Sequence, residues 1–157
     1  MEKEIKDLEK DYAAFEKKYK LPTFKELNEN FEIEKIDRES KTLLRTIRKV
    51  IIEKLVNSLG FVELLLNPVN APRMYYSYLK TLTQEDKNEL DKVYSVLSNV
   101  VLSAIELEID YDEKEEAEMI KRIYKDWESV KPAFRKILGN MKKPEVSEVR
   151  KEKTYFG

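Results

Sequence analysis

The sequence predicts an all-α fold: an irregular bundle of about four long helices with short helices between them. Three observations predict it. Apolar residues recur at three- and four-residue spacing along most of the chain, the period of one helix face. Only 3 glycines and 5 prolines punctuate the 157 residues, too little turn chemistry for a barrel or a sandwich. Charged residues make up 39% of the chain, against about a quarter in an ordinary domain, and the 41% that are hydrophobic suffice for one core at this length. Residues 1–144 read as a single helical domain, and 145–157 as a polar, mobile tail.

The first helix covers 2–20, where Ile5, Leu8, Tyr12, Phe15 and Tyr19 form one stripe. That stripe spans little more than two heptads, which favours a bundle helix over a coiled-coil arm. Leu21-Pro22-Thr23 breaks it. Thr23 with Glu26 makes a capping box that opens a short helix over 23–30, turning Phe24, Leu27 and Phe31 inward. Residues 30–37 alternate apolar and charged, but no second strand exists to pair with them, so they read as an extended connection. Asp37 or Ser40 caps a long helix over 38–66 whose inner face holds Leu43, Leu44, Ile47, Val50, Ile51, Leu55, Leu59 and Val62. Gly60 within it marks a kink or a close helix crossing.

Pro72 opens a short helix that reaches Leu82, with Met74, Tyr75, Tyr78, Leu79 and Leu82 on one face. Thr83 and Asp86 cap the next long helix, 84–110. Between Val93 and Ile105 it carries no charge, and nine of those 13 residues are apolar, which marks it as the central, most buried helix. That run is too short to span a bilayer. A last long helix runs over 112–130 with Met119, Ile120, Ile123, Trp127 and Val130 inward. Pro132 either kinks it or begins a separate helix over 133–139.

The stretch Lys20-Leu21-Pro22-Thr23-Phe24-Lys25-Glu26-Leu27, followed by Leu43-Leu44-Arg45-x-Ile47-Arg48 at the start of a long helix, resembles a group of uncharacterised small all-helical archaeal proteins. The resemblance covers the first third of the chain. It implies an all-helical fold and carries over no activity.

Histidine and cysteine are both absent. Their absence removes Ser-His-Asp and Cys-His catalysis, Cys/His zinc sites, His-ligated haem, disulfides and the Glu-x-x-His ligands of di-iron bundles. Enzymatic chemistry narrows to carboxylates and metal. Residues 106–118 hold eight acids against one lysine, a net of −7. Glu113 and Glu116 sit at i, i+3, as do Glu115 and Glu118, so each pair shares a helix face. All-α nucleotide pyrophosphohydrolases hold Mg²⁺ with such pairs, and need more acids on a facing helix, for which Asp86 and Glu89 are the candidates. Mg²⁺ is the only cofactor any reading requires. The plainer alternatives are a solvated face that complements the helix dipole, or a patch for a basic partner.

Two segments are basic: 38–57 with a net of +4, and 131–153 with +5. Lys41, Arg45, Arg48 and Lys49 fall on one side of their helix, opposite the apolar face, as an electrostatic phosphate or nucleic-acid surface requires. The alternative pairs these bases with the acidic stretch inside one bundle or with a partner subunit. The sequence pI near 5.8 argues against a nucleic-acid protein. Arg73, Met74, Tyr75, Tyr76 and Tyr78 have the composition of a protein interface, or else plug one end of the bundle. Tyr155 and Phe156 in the tail are candidates to dock on this chain or another.

The favoured reading is a non-catalytic cytoplasmic protein-interaction or scaffold module, with a protein partner or a homo-oligomer and no membrane. A Mg²⁺-dependent nucleotide or phosphate hydrolase using Glu113 and Glu116 is the alternative. Electrostatic nucleic-acid binding comes third.

Overall fold

The computed structural model describes residues 2–36 and 41–143. Among them there are six α-helices and no strand: α1 (Glu2–Tyr19), α2 (Phe24–Phe31), α3 (Leu43–Leu66), α4 (Tyr76–Leu79), α5 (Gln84–Glu106) and α6 (Glu113–Met141). The predicted caps at Asp37 and Ser40, and the 145–157 tail with Tyr155 and Phe156, lie outside the described residues.

The helices α3, α5 and α6 pack on one another and form the centre of the bundle. Their facing stripes are Leu44, Ile47, Ile51 and Leu55 on α3, Leu90, Val93, Leu97 and Val100 on α5, and Ile120, Ile123, Val130 and Ile137 on α6. The α1–α2 pair closes the open side between α3 and α6. Tyr12 is the joint of that pair. It is fully buried, packs edge-on against Phe24 with ring centroids 6.0 Å apart, and donates its hydroxyl proton to the Pro22 carbonyl at 2.6 Å. The α1 stripe thus lies on the core, as a bundle helix should. Both predicted capping boxes form, Thr23 with Glu26 and Thr83 with Asp86.

Five local expectations are corrected. Residues 33–35 form a 3₁₀ turn rather than an extended connection, because i, i+3 spacing lets Ile33 and Ile36 both reach the core. Gly60 lies on the exposed side of a continuous α3, and a Cβ built there meets nothing within 4 Å, so no helix crosses at that point. The 72–82 segment is a 3₁₀ turn, Arg73–Tyr75, followed by the single turn α4. Helix α5 ends at Glu106, and Leu102 and Ile105 on its outer side are exposed, so α5 buries one face and is not the most enclosed helix. Finally, α6 runs unbroken through Pro132 to Met141, absorbing the separate helix expected over 133–139. Pro132 is exposed, so water can serve the Glu128 carbonyl that the ring deprives of a donor.

Gly60→Ala should therefore stabilise the fold by about 0.5–1 kcal/mol, since it removes backbone freedom from the unfolded chain and adds no clash. Urea unfolding of the two proteins checks this, and a loss of stability would show that the position is crowded after all.

Candidate functional site

Among the described residues two charged side chains are fully enclosed. Arg48 is 2% exposed and Glu116 is 0% exposed. Arg48 occupies a core position because it continues the stripe Leu44, Arg48, Ile51, Leu55 at four-, three-, four-residue spacing. Glu116 begins the stripe Glu116, Ile120, Ile123, Trp127 on α6 in the same way. The two helices face each other, so the pair meets. Arg48 donates from Nε to Glu116 Oε2 at 2.5 Å and from a terminal nitrogen to Oε1 at 3.2 Å, the forked geometry that suits a guanidinium and a carboxylate. A third bond runs from Arg48 to Glu108 Oε1 at 2.8 Å.

The pair sits in a wider network. Arg45 donates to the Leu107 carbonyl at 2.7 Å, lies 3.5 Å from Glu116 Oε1 through Nε, and stacks its guanidinium 5.6 Å from the Tyr111 ring centre. Lys49 reaches Glu108 Oε2 at 3.3 Å. Glu113, one turn before Glu116 on α6, accepts from Lys18 at 2.8 Å and from the Tyr19 hydroxyl at 2.6 Å. Together these bonds tie the turn between α5 and α6 to α3 on one side and to α1 on the other. Burial alone would pull the Arg48 guanidinium down, but its bonds to Glu116 and Glu108 outweigh this and hold it above its ordinary value. The Arg48 bond lowers the Glu108 carboxyl, and the Lys18 and Tyr19 bonds lower that of Glu113.

Arg48 therefore does not stand on a solvent face with Lys41 and Lys49, as the sequence suggested. Lys41 and Lys49 are exposed, Arg45 is half-buried, and Arg48 is inside. The four bases therefore do not form one continuous exposed stripe. Glu113 and Glu116 likewise engage different cations of the protein itself. Asp86 closes its own capping box and Glu89 pairs with Lys92 at 2.6 Å. Among the described residues no group of three or more acids is arranged to hold a metal ion. Within the acidic stretch, Glu108 and Glu116 answer Arg45, Arg48 and Lys49 of the first basic stretch across the bundle. No sequence motif points to this pin. Its signal was a charged residue at each of two positions where the apolar period demands an inward side chain.

Lowered carboxyls make stability depend on pH in one direction. Their contribution is fully present above the usual glutamate range and is lost as pH falls through the lowered native values. Stability should thus decline on acidification below about pH 5, and Glu108→Gln and Glu113→Gln should each flatten that decline. Urea midpoints across a pH series read this directly.

The Tyr/Met segment occupies the other end of the molecule. Tyr75 turns inward against Phe61, with centroids 6.2 Å apart, and Phe61 also touches Phe134 of α6. Met74 is 67% exposed, Tyr76 50% and Tyr78 39%, beside Val69 at 81%. Arg73 is exposed as well. The inward face expected for Met74 and Tyr78 is thus corrected. A 3₁₀ turn followed by one α-helical turn has no single face long enough to bury alternate members of the run. The fold and its sites define an all-α bundle with a buried charged pin at one end and an exposed aromatic segment at the other. No protein family, no curated protein and no solved structure matches the chain. No helix among the described residues is long and apolar enough to cross a membrane.

Proposed function

We propose that the chain is a non-catalytic, cytoplasmic protein-interaction module that binds through the segment from Val69 to Tyr78. One observation carries the reading. Four large apolar or aromatic side chains stand in solvent on a short, irregular connection, although the bundle has an extensive core in which such residues gain about 1.5–3 kcal/mol each on burial. Met and Tyr are enriched at protein interfaces because they offer large contact areas. Arg73 in the middle of the segment adds a cation suited to carboxylates on a partner.

The double variant Met74→Ser, Tyr76→Ser tests the reading. Its urea midpoint should match the wild type, because neither side chain packs in the core. Binding should be lost, whether it is self-association seen by sedimentation or a one-to-one complex rebuilt from a purified captured protein. The reading fails if the wild type stays monomeric at all concentrations and every captured protein binds the double variant equally well.

A further inference from the structure

A second apolar surface lies at the far end of α5. Leu102 is 63% exposed and Ile105 57%, three residues apart on one side of α5, and Ile109, 79% exposed, follows in the turn just beyond its end, so the apolar ridge continues off the helix. Carboxylates border it. Glu106, Asp110 and Glu115 are exposed, and none of the three is ion-paired among the described residues, unlike Glu108, Glu113 and Glu116 beneath them. A shallow groove of about 390 Å³ lies between α5 and α6 beside Leu102 and Ile105, lined by Ser103, Glu106, Leu107, Glu115, Glu118, Met119 and by Arg122, whose guanidinium is engaged by Ser103 and Asp126.

The Val69–Tyr78 segment has the opposite surroundings. Arg73 lies within it and Lys80 follows it, and Arg135 and Lys136 follow Phe134, whose ring touches the same Phe61 that holds Tyr75. These four cations are exposed and also without ion-pair partners among the described residues. The two surfaces match in kind, apolar centre with charged border, and are opposite in sign. Helix α5 starts beside one and ends in the other, which separates them by about 30 Å at 1.5 Å per residue. One copy of the chain cannot bring them together.

We infer that they dock between copies: the acidic Leu102–Ile105–Ile109 ridge of one chain receives the basic Val69–Tyr78 segment of the next. Such a head-to-tail contact is heterologous, so it builds chains or rings rather than a closed symmetric dimer. Charge complementarity sets its register and speeds the encounter, and salt weakens it. This inference rests on the interaction role of the Val69–Tyr78 segment and adds its partner.

Sedimentation velocity over a concentration series tests it. The wild type should rise above the chain mass of 18.7 kDa with concentration, and 0.5 M salt should weaken association at least about tenfold. Leu102→Ser with Ile105→Ser removes one end, and Met74→Ser with Tyr76→Ser removes the other. Each double variant alone should be monomeric. Mixed in equal amounts they should form a discrete species of twice the chain mass and nothing larger, because each supplies the end the other lacks. Should the first variant unfold, Glu106→Lys with Asp110→Lys blocks the same end from the surface. The inference is overturned if the mixture stays monomeric, if either double variant associates as the wild type does, or if the wild type itself is monomeric. In that last case a foreign partner lost on Met74→Ser, Tyr76→Ser would leave the interaction role of the segment standing.

Discussion

Glu116→Leu should cost the protein about 3–5 kcal/mol of stability. The loss does not measure the worth of the ion pair. It measures what is left behind: Arg48 would keep its charge inside the bundle, 2% exposed, with Glu108 as its one remaining carboxylate. Arg45 would lose its closest charged neighbour as well. Native domains are stable by only about 5–15 kcal/mol, so this single change approaches the unfolding threshold. The double variant Arg48→Met, Glu116→Leu should recover most of the loss, because apolar groups of similar volume replace a buried pair at little net cost. Urea midpoints of the wild type, both single variants and the double variant form the cycle that checks it. If the double variant is as unstable as Glu116→Leu, the pin works through packing and not through charge.

Tyr12→Ala should cost a similar amount, about 3–5 kcal/mol. Tyr12 joins three elements: it lies on the inner stripe of α1, against the Phe24 ring of α2, and on the Pro22 carbonyl between them. Truncation removes an aromatic ring and leaves a cavity at the joint of the α1–α2 pair. Tyr12→Phe keeps the ring and should cost only about 1 kcal/mol, the usual net worth of one hydrogen bond. Burial, with Glu16 and Glu26 nearby, already pushes the Tyr12 hydroxyl up, so it stays protonated throughout the accessible pH range. Hydrogen exchange distinguishes the two variants: in Tyr12→Ala the α1 amides should exchange well before those of α5. Equal protection across both helices would show that α1 is held by something other than this joint.

The long helices were legible because their signals are local. Apolar period, two capping boxes and a helix-breaking Leu-Pro-Thr need no knowledge of the fold. The shorter elements were not. Residues 33–35 show a strand's alternation yet form a 3₁₀ turn, since the core behind Ile33 and Ile36 outweighs local preference. The uncharged run of α5 looked like the most buried part of the chain. Leu102 and Ile105 lie on the side of α5 away from its packed face, and no local pattern states which side its neighbours leave uncovered. Arg48 and Glu116 fit the apolar stripes of their helices by spacing alone, yet the charge pattern sets Arg48 opposite the apolar face and Glu116 among the acids of a solvated or metal-binding face. An isolated buried charge is prohibitive, and only a partner 68 positions away makes both inward positions tolerable.

Taken alone, the sequence determined the all-helical class, the caps, most of the inner faces and the kinds of chemistry that a chain without histidine or cysteine lacks. Those follow from interactions within a few residues. The tertiary structure alone decided which charges are spent on each other and which remain for a partner. Charge pairing and apolar exposure are properties of distances between elements, and those distances exist only once α3, α5 and α6 have packed.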